Sequence, residues 1–320
     1  MTTQRTQTTD CAIILVAYKS DADLPALLDS VAPAAGSLEC SIVVVDNNAP
    51  SSGQPDALRE LCAGRPNVKV IDAGGNLGYS GGLNVGLAHV PQAEVVLFLN
   101  PDLVLQPGCI ETLLSGCRIS GAAVPQVIDG VGHRQTSLRR EPTLSRALGE
   151  ALFGSRWASR PGWLSETVKE DASYRREHDV DWATGAALMV QTTLLARIGP
   201  WDSARFFLYS EETDYCRRIR EVGASVTYCP NAIVSHTGGG SGSSASLDAL
   251  LHVNKVRYFR KWHSRPIAPG SLIGAGVARS LFFAIAVLHA ALRPHNPGAR
   301  LALRALLSRR VRGTLPGSAR

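Results

Sequence analysis

An apolar segment, VLFLNPDLVL over residues 96–105, is interrupted by Asn100, Pro101 and Asp102. A buried strand gains nothing from a carboxylate and proline lacks a backbone donor, so the strand is predicted to end there with Asp102 at its carboxyl edge. Mg²⁺ and Mn²⁺ bind carboxylate oxygens while sharing their coordination shell with phosphates and water. Asp102 is therefore a candidate ligand for a cation on a diphosphate, and Asn100 could add an oxygen. The spacing also allows Asp102 to cap a helix beginning at Pro107.

Three acids, Glu211, Glu212 and Asp214, lie directly after the apolar segment at 206–209. The helix dipole favours one or two acids in the first turn of a helix, so part of this cluster is ordinary helix chemistry. Neighbouring carboxylates raise one another's proton affinity, and such a base can take a proton from a sugar hydroxyl. His236, between an apolar strand and glycines, is a candidate second metal ligand or diphosphate contact, although a lone histidine is more often structural.

Four continuous apolar runs, at 11–16, 41–45, 68–71 and 94–99, are predicted to be buried strands. Apolar residues at helical spacing between them predict a parallel, doubly wound α/β sheet. The carboxyl ends of such strands converge at one edge, where open α/β sheets bind ligands such as nucleotides. The polar groups following the strands are Tyr18, Lys19, Asp46, Asn47, Asn48, the loop GGNLGYSGGLN at 74–84, Asn100 and Asp102. Asp46 could bind a ribose or a base, although Asp-Asn-Asn is also ordinary turn chemistry.

The loop at 74–84 permits a second interpretation. It has no G-x-G-x-x-G match, but Gly78-Tyr79-Ser80-Gly81-Gly82 matches the G-x-S-x-G nucleophile elbow of serine hydrolases, and Asp214 and His236 follow in triad order. An elbow sits directly at a strand end, whereas four residues, 74–77, precede the motif here. A serine hydrolase using Ser80 is therefore the alternative hypothesis, beside a nucleotide-binding protein without catalysis.

The remaining segments are less regular. Apolar spacing predicts a helix over 110–117, a strand at 122–127 and, after a long surface excursion at 129–180, a strand at 181–190. A helix at 211–222 and strands at 225–228 and 232–234 follow, and a Gly/Ser stretch at 237–246 ends this part.

Charge is distributed unequally along the chain. Residues 249–320 contain 13 of the 33 Lys and Arg residues and no Asp or Glu, while the first 248 residues carry 20 bases and 27 acids. The basic tail includes the apolar segment 271–292, in which Arg279 and His289 favour lying at a membrane interface over spanning the bilayer. The arginines that follow suit anionic lipid headgroups better than nucleic acid. The alternative is an amphipathic helix packed on the domain or on a second subunit.

Seven cysteines without a C-x-x-C pair indicate reduced, buried thiols rather than a disulfide or zinc framework. The polar N-terminus is followed by an apolar run too short for a signal peptide. The sequence therefore predicts a cytoplasmic protein that is peripheral on the inner face of the plasma membrane.

Seven stretches together resemble the family 2 glycosyltransferases of the GT-A fold, particularly the bacterial rhamnosyltransferase-like branch. They are VAYKS at 16–20, VVVDNNAP at 43–50, GGNLGYSGGLNVG at 74–86, FLNPD at 98–102, WATGAALMV at 182–190, FFLYSEETDYCRRI at 206–219 and YCPNAIVSHTGGGS at 228–241. The resemblance implies a GT-A catalytic domain over 1–240, with a nucleotide-binding half at 11–127 and an acceptor half at 181–240. A linker and packing helix at 241–265 and a membrane-associating tail at 266–320 complete the expected organisation.

The resemblance also implies inverting transfer of a sugar from a nucleotide diphosphate donor in cell-envelope glycan synthesis. Glu212 would be the general base, and Asp102 and His236 would hold Mg²⁺ or Mn²⁺. Donor-binding residues would be Ala17, Asp46, Asn76, Gly78 and Asn100, and acceptor-side residues would be Trp182, Gly185, Glu211 and Asp214. L-rhamnose from dTDP-rhamnose is the first candidate sugar, and a polyprenyl-diphosphate-linked glycan or a polysaccharide is the expected acceptor. A homo-oligomer is possible.

The motifs depart from the commonest family pattern at two positions. Asn100 stands where the first Asp of the D-x-D pattern is usual, and Glu212 stands where many relatives have Asp. Both changes are conservative, so the resemblance still implies activity.

Overall fold

The structure is a computed structural model of the 320-residue chain. It describes residues 9–48, 57–154, 156–157, 159–236, 244–263 and 274–317. The strands of these residues, β1 to β11 in chain order, are Thr9–Ala17, Cys40–Asp46, Val68–Asp72, Ala93–Leu99, Leu103–Leu105, Gly121–Ile128, Leu138–Arg139, His178–Asp179, Trp182–Ala183, Ala187–Gln191 and Ser225–His236. The helices, α1 to α11, are Leu24–Ala35, Ala57–Cys62, Gly78–Leu87, Cys109–Ser120, Leu144–Leu152, Thr192–Ile198, Glu211–Glu221, Ala245–Trp262, Ala275–Ala291, Pro297–Leu307 and Arg309–Arg312.

A mixed, mostly parallel sheet forms the centre of the molecule, with strand order β3-β2-β1-β4-β10-β6-β11-β5 and β8 paired to β11. β3, β2, β1 and β4 are mutually parallel, as are β6 and β11, while β10 runs antiparallel between β4 and β6. The α/β prediction is confirmed. The regular β-α alternation of the first hundred residues produces the parallel half.

Both faces of this sheet are covered by helices, which explains the continuous apolar strands. In β1, Ile13 and Leu15 join a core with α1 and α4, whereas Ile14 and Val16 join a second core with α3, α6 and α7. Successive side chains of a strand point to opposite faces, so a strand buried on both sides is apolar throughout.

Three strand predictions differ from the structure. The predicted strand at 181–190 is two strands, β9 and β10, separated by residues 184–186. The two predicted strands between 225 and 234 are one strand, β11, whose pairing with β6 shifts between Cys229 and Ile233. Pro230 lies in that shift and lacks a backbone donor, so the ladder is irregular there without ending.

The segment 129–180 is more ordered than its sequence indicates. It contains β7, which pairs with β9, the helix α5, two short 3₁₀ helices at Gly162–Leu164 and Asp171–Tyr174, and β8. The helix α5 is not predicted from the sequence, because nine residues give too few turns to establish a helical period.

The C-terminal helices form a third core. Side chains of α8, α9 and α10 pack together with Leu315 and with partly buried residues of α5 and of 207–209. The predicted domain boundaries at 240 and 265, and most of the Gly/Ser stretch at 237–246, lie outside the described residues. Within the described ranges, no helix combines the length and the apolar character needed to cross a membrane.

Candidate functional site

A cavity of about 1070 Å³ opens where the carboxyl ends of the parallel strands meet the start of α7. Its walls also include the loop between β9 and β10, the start of α8 and the C-terminal residues Pro316 and Gly317. Nine of the twelve site residues proposed from the sequence line it: Asn76, Gly78, Asn100, Asp102, Trp182, Gly185, Glu211, Glu212 and His236. Residues far apart in the chain therefore share one space.

One wall carries a carboxylate paired with an imidazole. Asp102 follows β4, and the antiparallel pairing of β5 with the end of β11 aligns His236 with Leu103. Asp102 Oδ2 consequently lies 3.0 Å from His236 Nε2, and this hydrogen bond raises the pKa of His236. The capping alternative for Asp102 is wrong, because the next helix, α4, has Gly108 at its N-cap and no side-chain capping bond.

The donor atoms at this wall fit a cation that is held partly by its substrate. A carboxylate oxygen and an imidazole nitrogen lie side by side at the cavity, and Asn100 lines the cavity beside them. Among the described residues, no group of three or more His, Cys, Asp or Glu side chains could enclose a metal ion. Mg²⁺ characteristically takes one or two carboxylates plus substrate phosphates, so this donor set suits a cation bound with a diphosphate.

The start of α7 forms another wall of the cavity and carries two adjacent acids, Glu211 and Glu212. Glu211 is buried, Glu212 is half-buried, and the Oε2 atom of each is buried without a hydrogen-bond partner. Burial raises the pKa of both carboxyl groups, and for Glu211 the neighbouring Glu212 raises it further. Two residues before them have left-handed backbone, Tyr209 and Ser210 with φ of 69°. Such conformations are uncommon outside glycine and concentrate at functional sites.

Gly185 and Trp182 adjoin this pair of acids from the β9–β10 loop. A Cβ atom at Gly185 would lie 3.6 Å from Glu212 Cβ, so the backbone of the loop lies against the Glu212 side chain. Hydrogen bonding from the Gly185 backbone opposes the effect of burial on the Glu212 pKa. Trp182 is buried, and its indole Nε1 donates to the Arg140 carbonyl at 3.1 Å. The indole is thereby fixed at the cavity wall.

Asn47 organises the loop between β3 and α3 at the cavity. Its side-chain oxygen accepts from the Leu77 N–H at 2.9 Å, and its side-chain nitrogen donates to the Gly78 carbonyl at 3.2 Å and to Asn76 at 3.3 Å. Gly78 has φ of +73°, and a Cβ there would come within 2.2 Å of the Phe207 carbonyl oxygen. Only glycine fits this position, where the loop after β3 meets the segment leading into α7.

Two predicted donor-side residues do not line the cavity. The Ala17 side chain is fully buried, and its carbonyl accepts the Asn47 N–H at 2.9 Å, so Ala17 positions Asn47. Asp46 is half-buried at the end of β2, where one carboxylate oxygen accepts from both the backbone and the side chain of Asn48. Residues 49–56 of this loop lie outside the described ranges.

Asp214 points away from the cavity, which corrects its assignment to the acceptor side. It is fully buried, and its carboxylate forms ion pairs with Arg218 Nε at 3.0 Å and Lys261 Nζ at 2.6 Å. It also accepts a hydrogen bond from the Trp262 indole Nε1 at 2.8 Å. Positions 212 and 214 differ by about 200° around a helix, so both cannot face the same space. Asp214 therefore joins α7 to α8.

The geometry also contradicts the hydrolase alternative. Ser80 is fully buried in the first turn of α3, and its hydroxyl donates to the Phe206 carbonyl. His236 pairs with Asp102, and Asp214 pairs with Arg218 and Lys261. The three residues of the supposed triad therefore have separate partners, and Ser80 is absent from the cavity wall.

Several residues that line the cavity were not predicted from the sequence. Lys255 of α8 forms an ion pair with Glu166 at 3.0 Å, and burial lowers the pKa of Arg139 on β7. The Tyr79 hydroxyl is buried without a hydrogen-bond partner, and its pKa is raised by burial and then by Glu211, Glu212 and Asp102. The pKa of Tyr79 thus responds to the acids of both walls. Its position between Gly78 and Ser80 in the glycine loop is the sequence feature that could have indicated a place at the cavity.

Comparison with known proteins bears on this geometry. Residues 12–177, just over half of the chain, match the family model described as Glycosyl transferase family 2. An N-acetylglucosaminyl-diphospho-decaprenol L-rhamnosyltransferase of Mycobacterium tuberculosis is 28% identical over 237 residues, covering 70% of this chain and 75% of the relative. A low-salt glycan biosynthesis hexosyltransferase of Haloferax volcanii is 27% identical over 293 residues, covering 89% and 83%.

Solved structures share the fold at low sequence identity. GalNAc-T7 with UDP, GalNAc and Mn²⁺ superposes with a TM-score of 0.55 at 13% identity, covering 87% of this chain and 55% of that one. The mannosyltransferase PcManGT from Pyrobaculum calidifontis, in complex with GDP-Man and Mn²⁺, gives 0.51 at 18% identity, covering 98% and 79%.

Proposed function

The chain belongs to glycosyl transferase family 2, and from that premise we propose that it moves a sugar, with inversion, from a nucleotide diphosphate to an acceptor hydroxyl. It is a glycosyltransferase of the GT-A fold. One observation carries the proposal: the Asp102–His236 pair and the half-buried Glu212 line the same cavity. A transferase of this kind needs one group for the leaving diphosphate and another for the incoming alcohol.

The donor's nucleoside is proposed to bind at the ends of β1 and β2. Asn76 and Gly78 line the cavity there, and Asn47 holds both through its side chain. Asp46 and Ala17 remain proposed donor contacts from the resemblance. Ala17 acts in this scheme through Asn47, since its own carbonyl is already hydrogen-bonded.

The diphosphate is proposed to lie at Asp102 and His236, with Asn100 beside them. Asp102 would supply a carboxylate oxygen to Mg²⁺ or Mn²⁺, and His236 would supply its ring nitrogen or contact the phosphate directly. The cation would supply positive charge against the negative charge that develops on the leaving diphosphate. Asn100, in place of a second acid, leaves this wall with less negative charge and therefore with a greater need for the substrate's own phosphate oxygens.

Glu212 is proposed as the general base. Its carboxylate takes the proton of the acceptor hydroxyl as that oxygen forms a bond to the anomeric carbon and the bond from this carbon to the diphosphate breaks. Burial raises the pKa of Glu212, which brings its proton affinity closer to that required of a base at neutral pH. Gly185 and Trp182 would border the acceptor, and Glu211 would line the same side of the cavity next to Glu212.

The acceptor is proposed to be a polyprenyl-diphosphate-linked glycan or a polysaccharide, and the first candidate donor is dTDP-L-rhamnose. The Mycobacterium tuberculosis relative supports this choice, since its name specifies rhamnosyl transfer to a diphospho-decaprenol acceptor. The corresponding location is the cytoplasmic face of the plasma membrane, where the protein would be peripheral.

A screen of nucleotide sugars tests the proposal. Each donor is added to the purified chain with Mn²⁺ or with EDTA, and the melting temperature is measured, because a ligand of the folded state raises it. Donors that stabilise the protein are then incubated with a lipid-diphosphate acceptor, and sugar transfer is followed. Stabilisation by a donor followed by transfer supports the proposal. Stabilisation without transfer to any acceptor favours a nucleotide-binding protein without catalysis.

A further inference from the structure

Exposed large apolar side chains are concentrated in one part of the described residues. Eight of twelve belong to α5, to the segment after it, and to α9 with its C-cap residue: Leu148, Leu152, Trp157, Trp163, Val277, Leu281, Leu288 and Leu292. Single exposed apolar side chains are ordinary, whereas a group of them marks an interaction surface. We refer to these eight residues as the α5–α9 surface.

The helix α9 contributes a continuous exposed stripe. Val277, Leu281 and Leu288 recur at spacings of four and seven residues, which places them on one side of the helix. Ala278 and Phe282, on the other side, are buried in the core shared with α8 and α10. The stripe is therefore left over after α9 has packed into the protein.

The helix α5 and the two tryptophans adjoin this stripe. The Arg293 guanidinium donates to the carbonyls of Glu150 and Ala151, at 3.0 Å and 3.2 Å, so the C-terminal ends of α5 and α9 are joined. Trp157 contacts Phe153 edge-on at 5.0 Å between ring centroids. Trp163 lies in the 3₁₀ helix beneath which Gly149 of α5 packs against the Leu164 carbonyl.

Basic side chains adjoin this surface, and the one acid on α5, Glu150, is paired with Arg160. Arg156 is exposed beside Trp157, and burial, followed by the charge of Arg156, lowers the pKa of Arg293. Arg300 and Arg304 are exposed on the next helix, and the chain has no Asp or Glu after Asp248. Apolar side chains with tryptophans and a basic surround match the interfacial layer of an anionic membrane.

We propose that the α5–α9 surface binds an anionic phospholipid bilayer, with Leu281 and Leu288 in the acyl boundary and Trp157 and Trp163 at the headgroups. The surface extends beyond the tail at 266–320, because α5 and both tryptophans come from the excursion at 129–180. Among the described helices, none is long and apolar enough to cross a membrane, and α9 presents its exposed apolar side chains on one side, as a helix lying in the interface does. A lipid-linked acceptor would lie in the membrane that this surface binds, so the inference rests on the proposed function.

Vesicle binding of the full chain tests this assignment. Vesicles of phosphatidylcholine with phosphatidylglycerol should sediment the wild-type protein, and vesicles of phosphatidylcholine alone should do so more weakly. The L281E/L288E variant should bind the anionic vesicles at least about tenfold more weakly. The matched control is I119E/V131E, since Ile119 and Val131 are 85% and 78% exposed outside this surface. It should bind as the wild type does.

Tryptophan depth provides a second readout that needs no loss of binding. Brominated lipids should quench the wild-type fluorescence, and W157F/W163F should lose most of the quenching while still sedimenting with vesicles. Wild-type protein that ignores anionic vesicles, or L281E/L288E that binds them normally, would overturn the inference. A wild-type dimer that L281E/L288E converts to a monomer would assign the stripe to a second copy and would also overturn it. Sugar transfer to a water-soluble acceptor analogue, measured in parallel, reports on the proposed function separately.

Discussion

The two walls of the cavity hold their carboxylates in opposite ways. Asp102 is paired at 3.0 Å with an imidazole whose pKa it raises, so the wall presents complementary charges. Glu211 and Glu212 are adjacent acids whose pKa values burial raises, and each has a buried oxygen without a partner. In the proposed mechanism the first wall would bind the leaving diphosphate, and the second would take the proton of the acceptor hydroxyl.

The largest expected effect is the loss of the base. Glu212→Gln removes the proton acceptor but keeps the size of the side chain, so kcat should fall by about 10²- to 10⁴-fold while donor affinity stays within about twofold. Transfer kinetics and calorimetric titration of the donor measure the two quantities. Glu221→Gln, at the other end of α7, is the matched control and should leave both unchanged. Near-normal turnover in Glu212→Gln would remove Glu212 from this role.

A smaller loss is expected at the other wall. Asp102→Asn weakens the cation ligand, so kcat should fall by about 10²-fold and the Mn²⁺ concentration for half-maximal activity should rise. The control is Asp72→Asn, because Asp72 also ends a strand but is exposed and accepts the Gly74 N–H. An equal rise in the Mn²⁺ concentration for half-maximal activity in both variants would mean that Asp102 is not the ligand of the cation.

The pH dependence should distinguish the two walls. The base must be ionised, so kcat should fall as pH drops through the raised pKa of Glu212, giving an acid limb above the ordinary value of about 4.5. Glu166→Gln removes a negative charge that raises the Glu212 pKa and should move this limb to lower pH. Rates measured from pH 4 to 9 check the shift. A limb that stays in place would mean that the two acids do not influence one another.

Folding stability should show a smaller effect, which comes from the raised pKa of Glu211. An acid whose pKa is raised in the folded state favours the protonated fold, so wild-type stability is lost as pH rises through the unfolded value toward the folded one. Glu211→Gln stays neutral, and its melting temperature should exceed that of the wild type by several degrees at about pH 8. The gain should be smaller at about pH 4. An equal gain at both pH values would point to packing as the cause.

The smallest effect on activity is expected at Ser80. Ser80→Ala removes a buried hydrogen bond to the Phe206 carbonyl, so stability should fall by about 1 kcal/mol, while transfer should stay within about twofold. Denaturant unfolding and transfer assays measure the two quantities. Loss of activity with unchanged stability would revive a chemical role for Ser80.

The half of the molecule that is proposed to bind the donor could be predicted from the sequence. Strands such as β1 and β4 are covered on both faces, so they appear as uninterrupted apolar runs, and Asp102 stands out where one ends. The acceptor half has no such pattern. Arg139 lies on the two-residue strand β7, and Glu166 lies outside the helices and strands. They reach the cavity through the pairing of β7 with β9 and through an ion pair with α8. Contacts of that kind have no local signature.

Asp214 and Ser80 show a different limit. Asp214 matches Glu211 and Glu212 in charge and lies within three residues of them, yet its side chain faces Lys261. Its direction follows from helix phase, which is fixed only once the left-handed turn at Ser210 sets the start of α7. Ser80 fits a nucleophile motif by residue type alone, but it lies inside a helix. Motif letters therefore identified candidates, and backbone geometry decided among them.

A crystal structure with a bound nucleotide sugar, its anomalous signal collected at the manganese edge, would locate the cation and the donor together. We expect a Mn²⁺ peak at ligand distance from Asp102, shared with the donor diphosphate. We also expect that the anomeric carbon faces the Glu212 carboxylate across the cavity, with room for a hydroxyl between them. A diphosphate bound away from Asp102, or an anomeric carbon turned from Glu212, would contradict the account.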